Sequence, residues 1–213
     1  MSYYRSLKSE LDHACSFPGG VAEGANVRTP CGGRRVEMLR PGDLVVTRDA
    51  GLQPVRMVWK RTLESRALVA DPSLAPVRFA TRALGPMMPQ RPVMLAPAQH
   101  VLVPAYRIRD RSDSRPCLMA ARDIAHSDDG SMFKRSDQPV TFVQIIFDAH
   151  HIFCVEGLPV ESFRPTRHTL DALDKALQDE VSEVYPGLRK NQEIYPTLDY
   201  TVLTDAPLVP AQG

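Results

Sequence analysis

Residues 24–49 constrain the fold of this 213-residue chain more than any other stretch. Apolar runs of one to three residues alternate there with turn-forming segments at positions 30–33 and 40–43. The second of these, Arg-Pro-Gly-Asp, predicts a tight turn, because proline presets its own φ and glycine tolerates positive φ. Apolar runs this short are not typical of amphipathic helices, so the stretch predicts short strands joined by turns.

The same pattern of short strands and turns continues along the chain. Residues 53–60 alternate apolar and polar side chains, with Val55, Met57 and Trp59 on one face, which predicts a half-buried strand. The near-continuous apolar run at 140–147 predicts a central strand. Other short strands are predicted at 44–47, 77–80, 93–96, 99–104 and 152–155, the last as the hairpin partner of 140–147. A hairpin turn is predicted at 49–51.

Nineteen prolines, about twice the usual share of ~5 %, favour turns and sheet edges over long helices. Together with the many short strands they predict an all-β fold with a closed or partly closed architecture.

Helical spacing is confined to three stretches. Leucine and valine side chains recur every three or four residues over 169–185, which predicts a helix with Thr169 as its cap and Pro186 as its stop. A weaker helix is predicted at 5–14, and one or two helical turns at 117–124. The chain is therefore divided into an N-terminal segment (1–19), a β domain (20–165) and a C-terminal helix and tail (166–213).

Charge and hydropathy exclude two classes of partner. The 26 basic and 25 acidic residues nearly cancel, and a balance of this kind is not typical of proteins that bind nucleic acid or an anionic membrane. The sequence contains no run of about 18 apolar residues, so no membrane span is predicted. Residues 1–17 lack the apolar core of a cleaved signal peptide, so the predicted location is the cytoplasm, or the exterior by export without such a peptide.

The cysteines show no framework of disulfides and no Cys-x-x-Cys pair, and we interpret them as free thiols. They are Cys15, Cys31, Cys117 and Cys154.

One segment offers a weak alternative, a metal site made by His150, His151 and Cys154 beside Asp148. Adjacent strand residues point to opposite faces, so we favour a turn whose imidazoles bond to backbone. Neither a metal nor a cofactor is predicted, and Glu161, near Arg164, is interpreted as structural.

An ordered set of motifs resembles the Hint (hedgehog/intein) domain family, in particular its small alphaproteobacterial members. The resemblance covers residues 20–165. Its motifs are Gly24-x-x-Val27-x-Thr29-Pro30, Val36-Glu-x-Leu39-Arg-Pro-Gly-Asp43, Gln53-Pro-Val-Arg56, Pro97-Ala-Gln-His100, Asp148-x-His150-x-Ile152 and Glu156-Gly-Leu-Pro159-x-Glu161. The resemblance implies an all-β Hint fold with an added C-terminal α-helix.

The resemblance also implies a chemistry, which in this family is autoprocessing. A Cys that begins the domain attacks the preceding carbonyl, and an N-to-S acyl shift gives a thioester. A His in a Thr-x-x-His motif protonates the departing amide nitrogen, while the Thr holds the strained peptide. A second nucleophile then takes the acyl group. Such a site needs a reactive thiol and an acid/base group with a pKa near neutrality.

The sequence departs from this pattern at the positions that carry the chemistry. Counted back from Gly24, the nucleophile position falls on Gly20, which cannot form a thioester. If His100 is the family His, the Thr position falls on Pro97. If Pro97 is aligned instead with a Ser-Pro-x-His form of the motif, the hydroxyl position falls on Ala96 and the His position on Gln99.

Two functional hypotheses follow. The first is a Hint-fold protein without self-cleavage, which acts as a structural or interaction module for a protein partner. The second is an active autoprocessing enzyme with Cys15 as nucleophile and His100 as general acid/base, which requires a five-residue insertion before Gly24. No set of residues supports a third possibility, a peptidase or acyl transferase acting on another chain.

Overall fold

The computed structural model describes residues 19–111, 114–127, 131–133, 138–171, 173–186, 200–204 and 206–209. Short strands dominate them. The strands are β1 (Val21–Ala22), β2 (Asn26–Thr29), β3 (Gly32–Arg35), β4 (Leu44–Thr47), β5 (Gly51–Pro54), β6 (Met57–Leu63), β7 (Val77–Phe79), β8 (Val93–Leu95), β9 (His100–Val103), β10 (Cys117–Ala120), β11 (Ser131–Phe133), β12 (Val140–Ile146), β13 (Ile152–Val155), β14 (Leu158–Glu161) and β15 (Val202–Leu203).

Helices in the described residues are few and short. They are α1 (Ser65–Ala70), α2 (Ala121–Ser127), α3 (Arg167–Asp171) and α4 (Lys175–Val184), with 3-10 turns at Val36–Met38, Pro72–Leu74 and Ala105–Arg107. The prediction of an all-β fold with an added C-terminal helix is confirmed.

The strands form two sheets. The six-stranded sheet has the order β11-β7-β8-β1-β12-β6. The nine-stranded sheet has the path β15-β10-β9-β14-β13-β2-β3, with the β4–β5 hairpin attached through β4 to β13. All described pairs are antiparallel except β10 with β15. Both sheets contribute to one core, which includes Val21, Leu95 and Val143 from the first sheet and Val101 and Val155 from the second.

The strand predicted at 53–60 is two strands in different sheets. The chain leaves β5 at Pro54, crosses to the other sheet at Val55 and Arg56, and begins β6 at Met57. The Val55 N–H donates to Asp43 O (2.9 Å) and the Arg56 N–H to Ile146 O (2.8 Å), so the crossing keeps its backbone hydrogen bonds. The alternation of apolar side chains continues through the crossing, and for this reason it does not reveal the break.

The central strand predicted at 140–147 is confirmed as β12, which pairs with β1 on one side and β6 on the other. The prediction that 152–155 returns as its hairpin partner is wrong. β13 lies in the other sheet and forms a hairpin with β14. The connecting residues, Glu156 and Gly157, both have positive φ (49° and 83°), the geometry of a tight two-residue hairpin turn.

Two helix predictions need correction. Residues 117–120 form the buried strand β10, and only the residues after it are helical, as α2. The helix predicted at 169–185 is divided into α3 and α4, because the Asp174 side chain accepts from the Leu177 N–H (2.9 Å) and starts a new helix. The helix predicted at 5–14 lies outside the described residues.

The C-terminal helices cover one end of the six-stranded sheet. Val181 of α4 is buried in a cluster with Trp59 of β6 and with Phe163. The same cluster contains Leu173, which lies between the two helices, and Tyr185, which follows α4. Trp59 and Phe163 meet edge to face, with their ring centroids 4.6 Å apart. No helix of the described residues is both long and apolar enough to span a bilayer.

Candidate functional site

Gly20 lies where the chain enters the six-stranded sheet, directly before β1. β1 is sandwiched between β8 and β12, with Val21 opposite Leu95 on one side and Val143 on the other. The Ala96 N–H donates to the Gly20 carbonyl (2.9 Å), so the backbone of Gly20 is held at the end of β8. The position that holds the nucleophile in the resembling family is thus held in place by a backbone hydrogen bond, and its residue, Gly20, carries no side chain.

Gln99 makes the principal side-chain contact with Gly20. It ends the turn between β8 and β9, in which its own N–H donates to Ala96 O (3.0 Å). Its buried side chain accepts the Gly20 N–H through Oε1 (2.8 Å). The Nε2 atom donates to the carbonyl oxygens of His100 (3.1 Å) and Glu161 (2.9 Å). One glutamine amide therefore ties the start of the domain to both sheets.

The backbone before Gly20 is closely enclosed. Gly19 has φ +125°, a conformation that side-chain-bearing residues rarely adopt. A Cβ atom there would lie 2.9 Å from Gln99 Oε1, 3.0 Å from Gln144 Nε2 and 3.1 Å from Gln99 Cα. Both glutamines are buried. Glycine at position 19 is thus required by its backbone angle and by the space around it.

His100 does not contact Gly20 but pairs with Glu161. The register that places Val101 opposite Val160 also places His100 opposite Glu161 on β14. The His100 Nδ1 and Glu161 Oε2 atoms are 2.6 Å apart. About a third of the His100 side chain is exposed, against 17 % of Glu161. His100 therefore forms a histidine–carboxylate pair with one edge open to solvent.

His150 approaches the second oxygen of the same carboxylate. Its Nε2 atom lies 2.7 Å from Glu161 Oε1, at ion-pair distance. The alignment does not meet hydrogen-bond geometry, and neither ring nitrogen of this 3 % exposed side chain has another hydrogen-bond partner among the described residues. One carboxylate is thus shared by the imidazole of His100 on β9 and that of His150, which lies between β12 and β13.

Electrostatics keep Glu161 ionised. Burial alone would raise the pKa of the carboxyl, but the hydrogen bond from His100 and the proximity of His150 outweigh it and lower the pKa to about 2. An ionised carboxylate can only accept, so the His100 Nδ1 that bonds to it carries a hydrogen. For a neutral His100 this leaves the Nε2 lone pair free to accept a proton.

His151 belongs to a separate pair. Its Nδ1 atom lies 2.5 Å from Asp49 Oδ2, and the other Asp49 oxygen accepts the Ile152 N–H (2.8 Å). The predicted turn with imidazoles bonded to backbone is therefore wrong in its partners, since His150 and His151 face two different carboxylates.

The described residues contain no group of three or more His, Cys, Asp and Glu side chains placed to hold a metal ion. Glu161, interpreted from sequence as structural near Arg164, instead belongs to the pair with His100. Cys31 is exposed, Cys117 buried and Cys154 half-buried, all as free thiols.

The predicted site residues are brought together only in part. Gly20 and Ala96 share a backbone hydrogen bond, and Pro97 begins the turn that ends in Gln99. His100 lies next to this turn but faces Glu161. Cys15 lies outside the described residues.

Sequence reasoning missed Gln144 as a part of the site, and it gave Glu161 and His150 other roles. A usable signal existed for Gln144, the one amide in the apolar run 140–147, because a polar residue in a central strand needs a partner. The pairing of His100 with Glu161 joins residues 61 positions apart and requires the strand register.

Comparison with known families decides which family contains the chain. A family model for the Hint domain matches residues 20–167. The chain belongs to the Hint domain family.

Among solved structures, this Hint protein is similar to a bacterial intein-like domain from Clostridium thermocellum, with 12 % identity and a TM-score of 0.43, covering 67 % of this chain and 98 % of that one. The gp41-1 intein has 12 % identity and a TM-score of 0.41, covering 67 % and 97 %. The MchDnaB-1 intein (N145AA) has 13 % identity and a TM-score of 0.41, covering 67 % and 99 %. No curated protein sequence matches the chain significantly.

Proposed function

We propose that this Hint-fold protein does not cleave itself and serves as an interaction module for another protein. The observation that carries the proposal is the hydrogen bond from the Gly20 N–H to Gln99 Oε1 (2.8 Å). Gly20 provides no thiol to attack the preceding carbonyl. The family reaction therefore lacks its nucleophile at the position defined by the motifs.

The same hydrogen bond also argues against acid catalysis at this peptide. Departure of an amide requires a proton to be delivered to its nitrogen, so the group facing that nitrogen must be a donor. Gln99 presents a carbonyl oxygen, which can only accept. The contact stabilises the intact Gly19–Gly20 peptide, and it supports the register in which Gln99 stands at the His position.

Mass spectrometry of the full-length protein tests this proposal. After expression and incubation with and without dithiothreitol, we expect a single species at the 23.7 kDa of the sequence. If a thioester formed, excess thiol would attack it and release the segment that precedes the nucleophile. A shorter product that accumulates faster with thiol would contradict the proposal.

One observation favours the alternative, autoprocessing with Cys15 as nucleophile and His100 as general acid/base. The Glu161 carboxylate holds His100 through Nδ1 and leaves Nε2 free, as in a histidine oriented for proton transfer. This alternative predicts a thiol-accelerated product that lacks residues 1–14. The product would disappear in Cys15→Ala and in His100→Ala, whereas Cys31→Ala, a change at an exposed thiol, would leave it unaltered.

A further inference from the structure

Two cavities of about 700 and 570 Å³ share Met88 as a lining residue, and together they are called the Met88 groove. The first is lined by β2, the loop at 87–90 and Cys154, and the second by Arg48, Leu102 and the segment at 104–106. Phe153 and Val155 of β13 face the core, so the alternation of the strand places Cys154 on the opposite face. The groove therefore follows the outer face of the nine-stranded sheet.

Positive charge exceeds negative charge along the groove. Its charged lining residues are Arg28, Arg48, Arg111 and Glu156. Glu156 is already engaged, since its Oε1 accepts from the Asn26 backbone N–H (2.7 Å) and side-chain amide (2.8 Å). The Arg111 guanidinium contacts the Cys117 sulfur. Among the described residues, the side chains of Arg28 and Arg48 form no hydrogen bond or ion pair.

Neighbouring arginines show that this lack of partners is local. Arg34, on the strand next to Arg28, pairs with Asp43 (2.8 Å). The Arg35 guanidinium donates to the Gly24 carbonyl oxygen, and Arg56 pairs with Asp148 (2.6 Å).

Arg28 and Arg48 flank one point of the groove. The register that places Val155 opposite Val27 also places Cys154 opposite Arg28. The pairing of Phe153 with Thr47 brings Arg48 beside the same strand. Burial raises the pKa of the Cys154 thiol, and the charges of Arg48 and Arg28 both act to lower it, in agreement with this placement. Two positive charges that have no partner among the described residues therefore lie on either side of Cys154.

The walls of the groove offer apolar contact. Met87 and Tyr106 are each about 60 % exposed, and Met88 lies between the two cavities. Methionine adapts its shape to varied partners, and Tyr, Met and Arg are enriched in protein interfaces. Arginine recognises carboxylates through paired N–H donors.

We propose that the Met88 groove binds an acidic, extended segment of a protein partner, whose carboxylates pair with Arg28 and Arg48 and whose apolar side chains pack on Met87, Met88 and Tyr106. The inference rests on the proposed function as an interaction module and names the chemistry of its partner. Two adjoining cavities with the charges between them fit an extended chain that alternates acidic and apolar side chains.

Fluorescence anisotropy of the full-length protein with a labelled Glu-Leu-Glu-Leu-Glu-Leu peptide tests the proposal. We expect saturable binding that weakens with added salt and is lost for the matched Gln-Leu peptide. Arg28→Gln with Arg48→Gln should weaken binding by about tenfold or more, whereas Arg40→Gln, at an exposed arginine outside the groove, should change it less than about twofold.

A second readout locates the peptide. In a Cys15→Ser, Cys31→Ser background, saturating peptide should slow alkylation of Cys154 by iodoacetamide by about fivefold or more, because bound peptide excludes the reagent. Equal affinity for the Gln-Leu peptide, unchanged affinity of the double arginine variant, or an unprotected Cys154 would each overturn the proposal. So would the absence of saturable binding, or tighter binding of a single-stranded DNA oligomer. The intact mass of the protein with all four cysteines in place reports self-cleavage separately, so failure of the groove and failure of the proposed function are distinguishable.

Discussion

The junction, which consists of Gly19, Gly20 and Gln99, differs from the Met88 groove in whether its polar groups have hydrogen-bond partners. At the junction the Gly20 N–H, the Gly20 carbonyl and both ends of the Gln99 amide have partners within the chain. In the groove, two guanidiniums have none among the described residues. A substrate at the junction must replace existing hydrogen bonds, whereas a partner in the groove satisfies groups that are still free. The two regions therefore differ in how much of their hydrogen-bonding capacity the described part of the chain already uses.

The largest effect is expected at Gly19. Gly19→Ala should lower the free energy of unfolding by about 4 kcal/mol, because a strained backbone angle and overpacking against Gln99 act together. Gly42→Ala is the matched control, since Gly42 also has positive φ (+91°) but open space around its Cα, and it should cost about 1–2 kcal/mol. Urea unfolding of both variants measures the difference. Equal losses would mean that the junction is not closely enclosed.

Removal of the shared carboxylate should have the next largest effect. Glu161→Gln is expected to lower the free energy of unfolding by about 2–3 kcal/mol at pH 7, since the pKa of Glu161 is lowered from its usual range to about 2. Asp148→Asn is the control, because its ion pair with Arg56 is half exposed and contributes less than about 1 kcal/mol.

The pH dependence of this loss has a definite sign. A lowered pKa in the folded state stabilises the protein above the unfolded pKa of about 4.3, and the contribution fades as the pH falls toward 2. The difference between wild type and Glu161→Gln should therefore be constant above about pH 5 and shrink below it. A difference independent of pH from 7 to 3 would show that the carboxylate is not held ionised by the histidines.

Replacement of the Gln99 side chain tests how much its hydrogen bond to Gly20 contributes to stability. Gln99→Leu should lower the free energy of unfolding by about 2 kcal/mol, because it leaves the buried Gly20 N–H without an acceptor. Gln53→Leu removes one exposed hydrogen bond to the Ala50 carbonyl and should change stability by less than about 0.5 kcal/mol. Thermal unfolding of the two variants compares them, and a Gln99→Leu protein as stable as wild type would break the contrast between junction and groove.

The smallest effect is expected in the groove itself. Arg28→Ala and Arg48→Ala should each change the free energy of unfolding by less than about 0.5 kcal/mol, because neither guanidinium has a hydrogen-bond or ion-pair partner in the part of the chain that the structure describes. A loss above about 1 kcal/mol in either variant would mean that these arginines support the fold rather than a partner.

Much of the fold could be predicted from the sequence because its information is local. Turn residues and short apolar runs predict β4, β7, β8, β9 and β12, and the motifs predict the family. The division into residues 1–19, 20–165 and 166–213, the bacterial origin and the location in the cell stay predictions. The predictions of a single strand at 53–60 and of 152–155 as the hairpin partner of β12 are wrong. Alternation tells which face of a strand is buried but not which sheet the strand joins.

The candidate site was predictable to a smaller extent. Counting within the motifs gives Gly20 as the nucleophile position and His100 or Gln99 as the position of the family His. The sequence alone does not choose between these two alignments. The contact of Gln99, rather than His100, with Gly20 supports one register.

By itself, the sequence of this protein determined its family, its strand-and-turn character and the absence of a thiol from position 20, because each depends on residues close together in the chain. Only the tertiary structure decided that Glu161 is shared by His100 and His150, and that Arg28 and Arg48 flank Cys154 with no hydrogen-bond or ion-pair partner among the described residues. Such relations depend on which strands pair and in which register. That choice is made by burial across two sheets, so it is not encoded in any single segment.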